Sequence, residues 1–223
     1  MLFRSVQSAH NLAWKIAASL AGVAGPRLLD SFEQERRPVA TSNAQRSFDN
    51  SRSVWAVAQA GRGEHPEGLT PREAVARAHR YGNFAGMEFG HVYDSDVITS
   101  DGTPPPTLAD PVEDYVPVAR PGHRAPHAWF TERGVTMSTL DTVRHRFALL
   151  CASVQPWVAL AAELGARPYV IDDRQVLEAY GLGDSGAVLI RPDGYVAARW
   201  PDGPGPRAAD DVRAAVQRAY GWS

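Results

Sequence analysis

His91, Tyr93, Asp94 and Asp96 form the densest mixture of titratable and aromatic side chains in the sequence. An imidazole beside a carboxylate can move a proton near neutral pH, as a general acid–base pair does. Tyr93 and Phe89 could wall a pocket for an aromatic molecule. The plainer alternative is a strand edge packed on a neighbouring unit. A second group, His123, Arg124 and His127, has two histidines four apart. A metal would need that pair on a helix with a third ligand. Pro121, Gly122 and Pro126 exclude a helix there, so a structural loop without metal is expected. Cys151 is the single cysteine. That excludes a disulfide framework, a Cys-rich zinc site and a CxxC redox pair. Cys151 is expected to be a buried small hydrophobe. No GxSxG elbow, HExxH pair or P-loop occurs.

The chain has 223 residues, enough for one large domain or two small ones. It is 44% hydrophobic and 22% charged, ordinary for a protein that buries a core. A net charge of −2 gives no case for nucleic acid. Lys15 is the only lysine among 23 basic residues, an arginine bias typical of GC-rich, bacterial coding sequences. No apolar run reaches the roughly 18 residues that span a bilayer. The N-terminus has the outline of a signal peptide, but His10, Asn11 and Lys15 interrupt its apolar part. An amphipathic helix, in a cytoplasmic protein, is the expectation.

Residues 5–22 carry Leu12, Ile16 and Leu20 at four-residue spacing, flanked by Ala9, Ala13 and Ala17. A second helix over 27–37 would place Leu28, Leu29 and Phe32 inward and Glu33, Glu35, Arg36 and Arg37 towards solvent. Pro38 should kink or break it. Helix resumes over 40–60, with Phe48, Trp55 and Val57 as core contacts. Thr70-Pro71 starts another helix, which runs to about 82. From 87 to 98 partial alternation predicts a half-buried strand. Residues 81–119 hold seven acids and no Lys or Arg, which predicts a solvated acidic face. Prolines from 104 to 121 make a stiff linker. Beyond 121 the apolar runs and turns predict β-α-β-α-β-β-α, the order of a thioredoxin-like fold, with Arg191-Pro-Asp-Gly194 as a hairpin turn. The fold class expected is α+β / α/β: an N-terminal helical segment (1–82), an acidic strand and Pro-rich linker (83–120), and a thioredoxin-like domain (121–223).

Two sets of motifs resemble one family. Gln7-Ser-Ala-His-Asn-Leu-Ala-Trp-Lys15 and Leu29-Asp-Ser-Phe-Glu-Gln-Glu-Arg-Arg-Pro38 resemble the last helices of the FAD domain in class A flavoprotein aromatic hydroxylases. Pro121–His127, Ser138–Asp141 and Gly186–Val196 resemble the thioredoxin-like C-terminal domain of the same enzymes, with phenol and polyketide hydroxylases as the nearest branches. The resemblance implies hydroxylation of a phenol-like or polyketide aromatic with FAD, NAD(P)H and O2. It also implies that His10 and Asn11 face a flavin; the alternative for them is capping and packing.

The family's opening strand, GxGxxG turn and helix, and its Gly-Asp ribitol motif, do not stand ahead of the Gln7–Lys15 motif in this sequence, and the pyrimidine loop falls on the unlike Met1-Leu2-Phe3. Ser8 replaces a usual acid. This chain is therefore not expected to bind FAD tightly by itself. The divergence at Met1–Phe3 and Ser8 favours a natural short protein over a cut fragment. Such a protein could be a hydroxylase that borrows a flavin site. It could also be a flavin-free binding, accessory or cofactor-independent tailoring protein. Helix faces uncovered by a missing domain would be buried in a homo-oligomer or against a partner.

Overall fold

A computed structural model describes residues 2–64, 66–79, 84–143, 146–163, 165–203, 205 and 208–222. Helix α1 (Leu2–Leu20) is followed by α2 (Arg27–Gly61), a 3-10 turn at Pro66–Gly68, α3 (Pro71–His79) and α4 (Ala85–Phe89). A hairpin of β1 (Trp129–Glu132) and β2 (Val135–Ser138) comes next. The run β3 (Ala148–Cys151), α5 (Trp157–Glu163), β4 (Arg167–Val170), α6 (Arg174–Tyr180), β5 (Ala187–Ile190), β6 (Val196–Trp200) and α7 (Ala208–Ala219) completes the chain. No described helix is long and apolar enough to cross a membrane. The residues divide into two compact units: 1–35, 92–107 and 117–223 form one, and 36–91 with 108–116 form the other.

The expected β-α-β-α-β-β-α order is present in the first unit. Its sheet runs β4-β3-β5-β6, with β3 and β4 parallel and the other pairs antiparallel. Strands β3 and β5 are buried along their whole length, because both faces of the sheet are covered. Leu149, Cys151 and Leu189 face a core with Trp157 of α5, Val212 and Val216 of α7, and Trp14 and Leu28 of the first two helices. Leu150, Val188 and Ile190 face the opposite core, with Val176 and Leu177 of α6 and Phe130 of the hairpin. The hairpin was not foreseen. Arg133 and Gly134 form its two-residue turn at φ 50 and 80, the left-handed pair that such turns require.

The 87–98 strand is replaced by α4 and an irregular segment. Gly90 interrupts the alternation by ending α4. Single bonds then pin the chain: Tyr93 N–H donates to the Gly122 carbonyl at 2.8 Å and Thr99 N–H to the Ala197 carbonyl at 2.8 Å. Pro38 neither breaks nor ends α2, which continues to Gly61. A proline inside a helix costs about 3 kcal/mol, and buried Glu35, Arg36 and Val39 on either side of Pro38 offset it. In the second unit Phe48 and Trp55 are 60% and 61% exposed, against expectation; Ala56 and Ala60 form the buried face. α3 starts at Thr70-Pro71 as expected, and Glu73 adds a reciprocal cap: Thr70 N–H donates to Glu73 Oε2 at 2.8 Å and Glu73 N–H to Thr70 Oγ1 at 3.3 Å. The acidic stretch is only partly a solvated face. Asp94 and Asp96 are exposed, whereas Asp101 pairs with Arg199 at 2.7 Å, and burial of Asp101 is more than offset by its bonds to Thr103 and Arg199, which lower its pKa.

The largest departure concerns charge. Helix α1 buries Asn11, Trp14, Lys15 and Ala18, while Ile16 and Leu20 of the apolar stripe are 42% and 85% exposed. Glu35, expected at the surface, is 1% exposed and accepts from four residues. Lys15 Nζ donates to its Oε2 at 2.8 Å, Asn11 Nδ2 to the same oxygen at 2.7 Å, and Ser95 Oγ to Oε1 at 2.8 Å. Arg191 grips both oxygens, at 2.6 and 2.9 Å, and also Asp193 at 2.6 Å. Asn11 Nδ2 reaches Asp193 as well, at 2.9 Å. Two cations and two carboxylates therefore cancel inside the first unit. Helical periodicity places a charged residue outside by default, but a carboxylate whose lone pairs are all filled can be buried.

Burial pushes the Glu35 carboxyl up, but the Arg191 and Lys15 charges outweigh it and bring it down to about 2. Burial drags Lys15 to about 8 despite Glu35, and the Arg191 charge adds to the fall. Because the Glu35 carboxyl binds its proton less readily folded than unfolded, its contribution to stability is complete above about pH 4.5. That contribution fades as pH falls towards about 2. Glu35→Gln should cost about 3–5 kcal/mol in urea denaturation, since two buried cations lose their partner, and should flatten this acid limb. A loss below about 1 kcal/mol would show the network to be dispensable.

Candidate functional site

Three residues singled out on separate grounds come together. His10 of α1, Tyr93 of the irregular segment and Arg124 of the loop before β1 line one cavity of about 220 Å³. All lie in the first unit. Val6, Leu140 and Val143 supply its apolar wall, and Gln7, Asp193, Gly194 and Tyr195 complete it. The floor is a stacked pair, Tyr93 on Tyr195, with ring centroids 4.0 Å apart. The Arg191 guanidinium lies 5.4 Å from the Tyr93 centroid, so the floor rests on the buried charge network. Burial raises the Tyr195 phenol well above its ordinary range, and Tyr93 and Asp193 add to the rise. It stays protonated near neutral pH.

Local chemistry explains each placement. The Arg191-Pro-Asp-Gly194 turn is confirmed: Gly194 N–H donates to the Arg191 carbonyl at 2.9 Å, and Gly194 has φ 83. That turn presents Tyr195 and Asp193 to the cavity. Gly122 lies against the Tyr93 carbonyl at φ 84, where any side chain would collide. Arg124 bridges to Tyr195 across the resulting loop. Ser138 and Asp141 form a capping box at the next turn, which carries Leu140. Asp193, Leu140 and Tyr195 were missed as site residues. The signal was present, because an Arg and an Asp flanking a proline beside an all-apolar strand must be charge-paired or exposed.

Other candidates are placed elsewhere. His91 lies in the second unit, with its Nε2 3.4 Å from Arg36 Nη1. Asp94 is exposed, and Tyr93 is turned into the stack. The face that was to present His91 and Tyr93 together does not form, because the strand is absent. Asn11 belongs to the charge network; its amide is committed to Glu35 and Asp193. His123 is 6% exposed, and its burial lowers its pKa. His127 is exposed and packs edge-on to Trp129.

Cys151 has no surface exposure, and its Sγ lies 3.5 Å from the Tyr169 carbonyl oxygen. Burial pushes the thiol up to about 11, so it holds almost no thiolate at neutral pH. A thiol-disulfide reagent should label it only after denaturant unfolds the chain. Rapid labelling of the native protein would contradict the packing.

Comparison with known proteins extends this picture. Residues 118–222 match the family described as aromatic-ring hydroxylase, C-terminal, and residues 4–47 match the FAD binding domain. The 2,4-dichlorophenol 6-monooxygenase of Delftia acidovorans is 32% identical over 256 residues, covering 96% of this chain and 43% of its own. Tetracenomycin A2 monooxygenase-dioxygenase of Streptomyces glaucescens is 35% identical, covering 96% of this chain and 37% of its own. The flavin-dependent monooxygenase PieE, solved with FAD and substrate, superposes with a TM-score of 0.83 at 30% identity. That match takes in 99% of this chain and 44% of PieE. The chain thus spans less than half the length of these relatives. Two family models and these relatives agree, and the chain belongs with the FAD-dependent aromatic-ring hydroxylases, matching part of their FAD-binding domain and their C-terminal domain.

Proposed function

We propose that the chain is the scaffold portion of a hydroxylase acting on a phenol-like or polyketide aromatic with FAD, NAD(P)H and O2. Its residues do not fit a complete FAD cradle. Lys15, the one lysine of the FAD-domain stretch, gives its ammonium to Ser31 and Glu35, and Asn11 is likewise committed. The one GxGxxG match in the sequence, Gly181–Gly186, follows α6 and leads into strand β5, so it opens no helix whose N-terminus could hold a pyrophosphate. In this reading the nucleotide-gripping residues come from polypeptide outside this sequence.

One observation carries the reading. Residues of the FAD-domain stretch and of the C-terminal stretch share a single buried carboxylate, Glu35, bound by Lys15 and by Arg191. Such sharing makes the helices and the thioredoxin-like sheet one folding unit, fit to position a flavin domain. The solvent-facing Ile16 and Leu20 are then the surface that a flavin domain, a second copy or a partner covers. A flavin-free binding or accessory role is the second reading. It is favoured by the cavity at His10, Tyr93 and Arg124, which this chain lines by itself.

Gel filtration of the purified chain after mixing with FAD tests the proposal. The chain alone should elute colourless. Flavin should travel with it once the front part of the Delftia relative is supplied as a separate polypeptide. Stoichiometric flavin on the chain alone would overturn the assignment of the cradle to other residues.

A further inference from the structure

We propose that the cavity at His10 and Tyr93 binds a small uncharged aromatic molecule. The inference stands with either reading of the function, since this chain lines the cavity by itself. The cavity, about 220 Å³, exceeds the roughly 150 Å³ that holds a benzene ring in an apolar protein interior. A ring with one short substituent therefore fits, and a fused polycycle does not. Val6 and Leu140 are 62% and 42% exposed, so apolar surface stands open to a ligand, and Val143 lines the same wall. The stacked rings of Tyr93 and Tyr195 give a flat floor, fixed by burial before any ligand arrives. Little ordering is left to oppose binding.

The ligand is uncharged because the charges around the cavity are already engaged. Asp193, the acid of the lining, is held by Arg191 and by Asn11. Arg124 has a partner of its own. An ion would have to break one of these pairs or enter without a counter-charge, at a desolvation cost that a neutral molecule avoids. A ring entering between the walls covers apolar surface that the chain leaves wet. Exposed His10 can exchange a water for a hydroxyl of the ligand at the rim.

NMR titration of the full chain with benzyl alcohol tests the site. One molecule per chain should bind with a Kd of about 1 mM, as suits a ligand of about eight non-hydrogen atoms. Intermolecular NOEs should connect its ring protons to the methyl groups of Val6, Leu140 and Val143. Benzoate, nearly the same size but charged, should bind at least about fivefold more weakly. Val6→Trp and Leu140→Trp fill the cavity from exposed positions, and each should weaken benzyl alcohol at least about tenfold. Val154→Trp, at an exposed position outside the lining, should leave the affinity unchanged. Absence of saturable binding at tens of mM, NOEs to other methyl groups in place of these, or benzoate binding as tightly as benzyl alcohol would overturn the proposal. So would parental affinity in either filling variant, or an equal loss in Val154→Trp.

Discussion

Glu35 is a carboxylate removed from water and surrounded by donors from three distant parts of the chain. Lys15 comes from α1, Ser95 from the irregular segment, and Arg191 from the turn after β5. An isolated charge in such a place would be prohibitively costly. Here the desolvation is offset because every donor is aligned and Asp193 balances the second cation. The same condition makes the arrangement fragile. Removing one member leaves the others buried and unpaired, which costs more than the pair contributes over an apolar replacement. Specificity of docking is the gain: α1 can settle on the sheet in one register only, the one that brings Lys15 and Asn11 to Glu35.

The network and the cavity are physically continuous. Arg191 holds Glu35 on one side and lies under the Tyr93 ring on the other. Asp193 faces the cavity while neutralising Arg191. Arg191 and Asp193 are thus common to the charge network and to the surroundings of the aromatic floor. In the hydroxylase reading, this makes the position of the FAD-domain helices dependent on the integrity of the C-terminal turn. In that reading the chemistry of oxygen transfer would belong to a flavin held mainly by other residues, and the part of this network would be to fix geometry.

The thioredoxin-like half was legible because both faces of its sheet are buried. Ala148–Cys151 and Ala187–Ile190 read as unbroken apolar runs, and the Pro-Asp-Gly turn between β5 and β6 has one conformational meaning. The β1–β2 hairpin was not legible, because Trp129 and Val135 are exposed and only Phe130 anchors β1 in the core. The charge network was hidden for a different reason. Glu35 and Arg191 are 156 residues apart, so no local pattern signals their pairing. Periodicity then assigns Glu35 to solvent and turn chemistry reads Arg191 only as part of a hairpin, while Leu12, Ile16 and Leu20 are assigned to the core in place of Asn11, Trp14 and Lys15. Family resemblance pointed to the right stretches without saying why they matter; the contacts supply the reason. Of the site, His10, Tyr93 and Arg124 were named from sequence, but their meeting depends on Gly122 and on the turn at Gly194.

A double-mutant cycle between Glu35 and Arg191 examines this account most directly. Urea unfolding of Glu35→Gln, Arg191→Met and the double variant gives the coupling free energy between the two side chains. The account predicts a coupling of about 2 kcal/mol or more, with the double variant more stable than the sum of the single losses implies. Additive losses would contradict it, since they would mean that the carboxylate and the guanidinium stabilise the fold independently of each other.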